Sequence, residues 1–299
     1  MRVRVIANRD GGAFIRDDKL EEKLDAALAA AGIEAEVRLV DGDEIADAFA
    51  EAATAKGLDA VVAAGGDGTV SCAAGHLAGT KRPLGLLPLG TLNHLARDAD
   101  IPADLDAAAA VIAAGHNRPI DVAEVNGRVF VNNSGVGLYP DMVRFREAEQ
   151  GRGRSKRLAM LSASLRALRS FKRRRLWISA PGVETPIRTP LLFVGNNRYR
   201  ASLFALGRRE ALDAGELSLH AVRARSRVHL FWAGLRGLIG RLDQQRDFIT
   251  LYADRATISS DRPRLVISAD GESITMETPL EYRIRPRALR LIVPAPEPQ

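Results

Sequence analysis

Two glycine–threonine turns hold the residues of this chain best suited to chemistry. The first is Gly65-Gly66-Asp67-Gly68-Thr69, between the apolar run Leu58–Ala64 and a helical stretch, Val70–Leu77. The second lies in Gly85-Leu86-Leu87-Pro88-Leu89-Gly90-Thr91-Leu92-Asn93-His94-Leu95-Ala96-Arg97-Asp98, again a strand that turns into a short helix. A helix start leaves backbone N–H groups without partners and carries positive potential, so it suits phosphate. Amides of Gly68, Thr69 and Val70 are expected to supply it, and Gly65, Gly66 and Gly68 let the backbone approach the phosphate oxygens. One such turn is also an ordinary strand-to-helix connection. Two of them on adjacent strand–helix units converge at one edge of a parallel sheet, where open α/β sheets bind ligands.

The elements that position them alternate. Strands are expected at Val3–Asn8, Glu36–Val40, Leu58–Ala64 and Gly85–Pro88. Helices are expected at Leu20–Ala31, Glu44–Ala55, Val70–Leu77, Thr91–Asp98 and Leu105–Ala114. Leu20, Leu24, Ala27, Leu28 and Ala31 share one helical face. This spacing implies a parallel, Rossmann-like sheet with right-handed crossovers. Ile120–Val125, Asn126-Gly127 and Arg128–Asn133 then read as a hairpin. Strands follow at Leu176–Ala180, Pro190–Gly195, Leu217–Val222, Arg264–Ala269 and Leu280–Ile284, interrupted by helical inserts near 155–174 and 228–242. The fold class is therefore an α/β nucleotide-binding domain over 1–122 plus an antiparallel β-sandwich over 123–288. Residues 289–299 form a C-terminal segment.

Composition narrows the partners. The 299 residues are 46% hydrophobic and 27% charged, as in a globular protein, and no apolar run approaches the length of a membrane span. The first eight residues alternate like a strand and lack a signal-peptide core. The single cysteine, Cys72, excludes an internal disulfide and fits a reducing cytoplasm; a small packed helix residue is its expected role. A net charge of +6, mostly arginine, suits an anionic membrane face or a phosphate-bearing substrate. Zinc-finger spacing and RNP-type strands are missing, and aromatics make up only 5%, so no nucleic-acid partner is expected. Two basic stretches with leucines at helical spacing, 156–175 and 228–242, either lie on a membrane or pack on the body of the protein.

A third motif, Asp270-Gly271-Glu272, looks locally like a hairpin turn. In the order GGDGT, PLGTLN, DGE, however, the chain resembles the diacylglycerol kinase catalytic-domain family. That family includes soluble bacterial lipid kinases related to sphingosine and ceramide kinases. The resemblance implies ATP and Mg²⁺, with the γ-phosphate passing to a lipid hydroxyl at the cytoplasmic membrane face, and it admits a homodimer and a return of Leu289–Pro294 to the first domain. Diacylglycerol is the default acceptor. Long-chain bases and ceramide stay open, as do NAD kinase, which shares GGDGT, and a silent lipid- or nucleotide-binding protein.

By the same resemblance Glu272, or Asp270, takes the proton of the lipid hydroxyl. Asn8 and its loop touch the nucleotide, and Arg9 is either a phosphate contact or a plain surface arginine. Asp67 sits near Mg²⁺, and Asp121 matches the hinge aspartate in a network with Asp270. Thr91 and Gly90 are expected to cap their helix or offer a hydroxyl to ATP. Asn93 and His94 stand where relatives read Asn-Asp, which places an imidazole beside the lipid-hydroxyl site. Relatives hold a structural Mg²⁺ with an Asp-Gly; here Ala214 replaces that aspartate, flanked by Asp213, the candidate metal ligand, and Glu216, with plain surface-loop carboxylates as the alternative.

Overall fold

The computed structural model describes residues 1–138, 173–199, 209–224, 226, 228, 232 and 248–296. The two basic amphipathic segments lie almost wholly outside them. The chain forms two compact units, one of Met1–Val122 with Arg285–Gln299, the other of Ala123–Ile284.

The first unit is a parallel sheet with crossover helices. Its strands are β1 (Arg2–Asn8), β2 (Glu34–Val40), β3 (Ala60–Gly65) and β4 (Leu84–Pro88), in the order β2-β1-β3-β4. The interior strands β1 and β3 bury both faces (Val3, Val5, Ile6, Val61, Val62), which explains their continuous apolar runs. Five helices connect or follow them: α1 (Leu20–Ala30), α2 (Ile45–Thr54), α3 (Asp67–Leu77), α4 (His94–Asp98) and α5 (Leu105–Ala114). On α1 the buried face is Leu20, Leu24, Ala27 and Leu28, the 3.6-residue stripe of the sequence. Local signals bound α5. Asp104 accepts a hydrogen bond from the Ala107 amide at 3.0 Å, and Gly115 ends the helix in the left-handed region.

Beyond β5 (Asn117–Val125) the chain changes to antiparallel pairing. One layer is built from β7 (Asn133–Gly137), β10 (Leu191–Asn196), β11 (Leu217–Val222), β12 (Phe248–Ala253), β14 (Arg264–Ala269) and β15 (Glu272–Glu277), in the order β12-β11-β10-β7-β14-β15. A second layer contains β6 (Arg128–Phe130), β8 (Arg174–Ala180), β9 (Val183–Thr189), β13 (Arg255–Ser260) and the start of β16 (Leu280–Ile292). Leu192, Val194, Leu217 and Ile267 from the first layer share one core with Phe130, Ile178, Ile258 and Tyr282 from the second. This is a β-sandwich. Within that core the Ser134 and Tyr282 hydroxyls meet at 3.0 Å, and burial pushes the phenol well above its usual pKa.

The hairpin at Asn126-Gly127 forms as the dipeptide predicts, with φ of 45° and 82°. Two expectations are corrected. The helix near 155–174 does not reach Arg174, which opens β8. The last strand runs to Ile292 rather than Ile284; Leu291 pairs in parallel with Leu84, and the Val293 amide donates to the His116 carbonyl at 2.9 Å.

His220 on β11 gives the sandwich a pH dependence. It lies among Phe193, Phe248 and Tyr252, with Nδ1 3.1 Å from the Thr250 hydroxyl and Nε2 buried with no hydrogen bond among the described residues. Burial lowers its pKa from 6.5 to about 4. As pH falls below 6.5 the unfolded chain gains a proton that the folded chain refuses until about pH 4. Stability is therefore lost across that window, by at most about 3 kcal/mol. In His220→Gln, urea unfolding between pH 7 and pH 4 is expected to show a flatter acid slope; an unchanged slope would assign the effect to other groups.

Candidate active site

Strands β1, β3 and β4 end side by side in the first unit, with Ala7 opposite Ala64 and Gly65 opposite Pro88. Asn8, the GGDGT turn and the Gly90 turn thus leave from the carboxyl ends of three neighbouring parallel strands. Gly66 caps α3 in an extended conformation, and Asp67, Gly68 and Thr69 form its first turn. An α-helix leaves these first amides without intrahelical acceptors. Val70 is a correction: its N–H donates to the Gly66 carbonyl at 3.1 Å, closing the first helical turn, so it is unavailable to a phosphate.

The two turns lock onto each other. The Asp67 Oδ1 accepts the His94 amide at 2.7 Å, and the Leu89 amide donates to the Gly65 carbonyl at 3.0 Å. A methyl group on Gly90 would stand 2.6 Å from the Gly66 Cα, so glycine is what lets the two backbones touch. Asn93, in the left-handed conformation at φ 48°, donates from its side chain to the Pro88 and Gly90 carbonyls at 3.1 and 2.9 Å. The helix cap there is Asn93, not Thr91, because α4 begins only at His94. His94 itself is half-buried. Thr69 lies buried against Gly65, and Cys72 is half-buried on α3.

Beside them the loop after β1 folds on its own polar groups. Asn8 Oδ1 accepts the Asp10 amide at 3.0 Å, the Gly11 amide returns to the Asn8 carbonyl at 3.0 Å, and Asp10 Oδ2 takes the Gly42 amide at 2.9 Å. Arg9 is exposed and pairs with Asp41 at 3.6 Å. Asp121 is buried on β5, where it accepts the Arg287 amide at 2.8 Å.

In the second unit Asp270-Gly271 is a two-residue turn between β14 and β15, with φ of 46° and 86°. Both Asp270 oxygens are engaged by backbone. Oδ2 accepts from Val131 at 2.7 Å, and Oδ1 accepts from Asn132 at 2.8 Å and Asn133 at 3.1 Å. Glu272 opens β15 with an exposed carboxylate paired to Arg128. Asp270 and Asp121 are thus each anchored within their own unit.

Sequence reasoning did not single out the polar cluster around Asp270. Asn132, Asn133, Asn196, Asn197 and Arg209 are all buried. Arg209 donates to the Val131 carbonyl at 2.5 Å, Asn196 donates to the same carbonyl at 2.9 Å, and the Tyr199 hydroxyl donates to the Asn132 carbonyl at 2.9 Å. The side-chain oxygens of Asn133 and Asn197 are buried with no hydrogen bond among the described residues. Two Asn-Asn pairs at strand ends were the available signal, since buried amides need a reason.

No group of three His, Cys, Asp or Glu side chains gathers for a metal among the described residues. Asp213 is exposed, and Glu216 turns to Arg198 instead. No described helix is long and apolar enough to cross a membrane.

Residues 2–125 match the diacylglycerol kinase catalytic domain, and residues 137–293 match the YegS C-terminal NAD kinase beta sandwich-like domain. A Pseudomonas aeruginosa protein called "probable lipid kinase YegS-like" is 30% identical over 93% of this chain and 91% of its own length. The chain belongs to the diacylglycerol kinase catalytic-domain family. That family is one of lipid kinases. A diacylglycerol kinase of Bacillus subtilis is 37% identical over 47% of either chain. Some curated relatives are matched over only 36 to 47% of their length. A crystal structure of a Bacillus anthracis diacylglycerol kinase, 21% identical, shares the fold over 98% of this chain and 97% of its own, with a TM-score of 0.71.

Proposed function

We propose that this chain transfers the γ-phosphate of ATP to a lipid hydroxyl at the inner membrane face, with diacylglycerol as acceptor and phosphatidic acid as product. The observation that carries the reading is the pair of glycine turns on β3 and β4, joined by Asp67 and the His94 amide. Phosphoryl transfer asks mainly for positioned phosphates and neutralised charge. The free amides at the start of α3 supply the first, and the family supplies the lipid.

Within this reading Glu272 removes the proton of the lipid hydroxyl. The lipid oxygen then attacks the γ-phosphorus as the bond to ADP breaks. Glu272 is the better base of the two acids because Asp270 already accepts three amides. Asp270 holds the strand ends that carry Asn132 and Asn133. Asp67 fits a magnesium ion that arrives with the nucleotide. Its Oδ1 is taken by His94, its other oxygen has no hydrogen bond among the described residues, and Mg²⁺ commonly binds through one carboxylate plus phosphates. When bound, that ion would neutralise phosphate charge.

A long-chain base or ceramide is the second reading, left open by His94, which stands where the family resemblance places a carboxylate. The test is transfer from labelled ATP with Mg²⁺ in anionic mixed micelles containing diacylglycerol, monoacylglycerol, sphingosine or ceramide, with NAD as a soluble control. Labelled phosphatidic acid is expected from the wild type. In Glu272→Gln the rate is expected to fall about 10²- to 10⁴-fold with ATP affinity retained. Labelled NAD alone would make the chain a nucleotide kinase. ATP binding with no product would make it a binding protein.

A further inference from the structure

The second unit carries a cleft of about 640 Å³, lined by Arg173, Arg174, Arg175, Arg188, Arg262, Ser260 and Asp261. Asp261 is the one carboxylate among these described lining residues. The β-sheet register makes the crowding direct, since Arg175 stands opposite Arg188 on the β8–β9 pair and Ser260 stands opposite Leu176 on β13. Like charges placed directly opposite on neighbouring strands destabilise a sheet.

Elsewhere among the described residues several arginines are paired with carboxylates, while others such as Arg82 donate to backbone carbonyls. Arg4 pairs with Glu36 and Glu51, Arg128 with Glu272, Arg198 with Glu216, Arg264 with Glu277, and Arg283 with Glu124. In the cleft, among the described residues, Arg173, Arg175, Arg188 and Arg262 have no carboxylate within salt-bridge distance. Arg173 donates to the Arg188 carbonyl at 3.2 and 3.3 Å, and Arg175 lies 5.0 Å over the Trp177 ring. Asp261 accepts from the Ser260 hydroxyl at 3.2 Å. These contacts orient side chains without cancelling their charge. A concave site lined by one sign of charge raises the local concentration of the opposite sign, and guanidinium forks match phosphate oxygens in pairs.

We propose that this cleft binds the phosphate headgroups of an anionic phospholipid bilayer and docks the second unit on the membrane. The choice of a bilayer over a soluble anion rests on the lipid-kinase reading above. An enzyme of that kind must hold its β-sandwich at a surface whose phosphates are anionic. Arginines close to such a surface each contribute to binding and are screened by salt.

The experiment is vesicle co-sedimentation of the full chain without ATP. Phosphatidylcholine vesicles containing 30 mol% phosphatidic acid are compared with phosphatidylcholine alone. Arg175→Gln/Arg188→Gln removes two cleft charges; Arg2→Gln/Arg264→Gln removes two exposed arginines elsewhere and matches the net charge. Thermal melts confirm folding of both. The cleft variant is expected to bind anionic vesicles about 30-fold more weakly, with the control near wild type. Equal loss in both variants, or no loss in either, overturns the proposal. Tight binding of inorganic phosphate or glycerol phosphate that abolishes vesicle binding at low millimolar concentration reassigns the cleft to a soluble anion and also overturns it. Kinase turnover is not read, so a failed lipid-kinase assignment and a failed docking site are separable. A chain that phosphorylates no lipid can still bind vesicles through the cleft, and a kinase can turn over a short-chain acceptor without it.

Discussion

Asp270→Ala is expected to destabilise the sandwich by about 3 kcal/mol or more, because it leaves three backbone donors without an acceptor. Val131, Asn132 and Asn133 are almost fully buried, and their amides all end on this one carboxylate. A buried donor left unsatisfied costs roughly 1–3 kcal/mol. Set against total stabilities of roughly 5–15 kcal/mol for domains, that is a large share. Asp270→Asn keeps one oxygen for the Asn132 and Asn133 amides and turns an NH₂ group toward Val131, so about 1–2 kcal/mol is expected. Urea midpoints of Asp270→Ala, Asp270→Asn and Glu272→Gln decide it. The order of loss should be alanine, asparagine, then Glu272→Gln near wild type, since Glu272 is exposed. A wild-type midpoint for Asp270→Ala would remove Asp270 from the framework. Activity separates the two acids further. A base role for Asp270 would abolish turnover in Asp270→Asn even at temperatures where that variant stays folded.

Gly90→Ala is expected to lower ATP affinity by about 10²-fold and to destabilise the first unit by roughly 1–3 kcal/mol. Its methyl would meet the Gly66 Cα at 2.6 Å and the Asn93 Oδ1 at 2.5 Å. The first neighbour is backbone and cannot rotate away, so the two turns must separate. Separation draws the His94 amide off Asp67 and shifts the amides of α3 that would hold phosphate. Gly68→Ala is the companion. Its methyl meets nothing within 4 Å, so stability should hold or rise slightly, as alanine is the better helix former. A phosphate approaching that backbone would still be obstructed. Calorimetric titration with a non-hydrolysable ATP analogue, beside thermal melts, is the measurement. Gly90→Ala should lose both quantities and Gly68→Ala only affinity. Unchanged affinity in Gly68→Ala would move the nucleotide away from α3.

Local sequence determined the pieces whose causes are local. The alternation of apolar runs with helical stripes set the parallel sheet and its five helices. Asp104 and Gly115 bounded α5, and Asn126-Gly127 set a hairpin, because caps and tight turns are satisfied within a few residues. The motif residues Asp67, Gly90 and Asn93 were legible for the same reason. Strands β7, β9, β12, β13 and β15 were not, and three of these, β9, β12 and β15, lie at the ends of their sheets. Among the described residues these three have a pairing partner on one side only, and an edge tolerates sequences as polar as Val183–Thr189, with Pro186 inside it. Tertiary structure alone decided what the site's polar groups do. Asp270 finds its three amides 137 to 139 residues away, and Asp67 finds His94 27 away. Arg175 meets Arg188 only once β8 and β9 pair. A carboxylate's partner is chosen by which backbone donors the fold brings near it, and no periodicity in the chain records that choice.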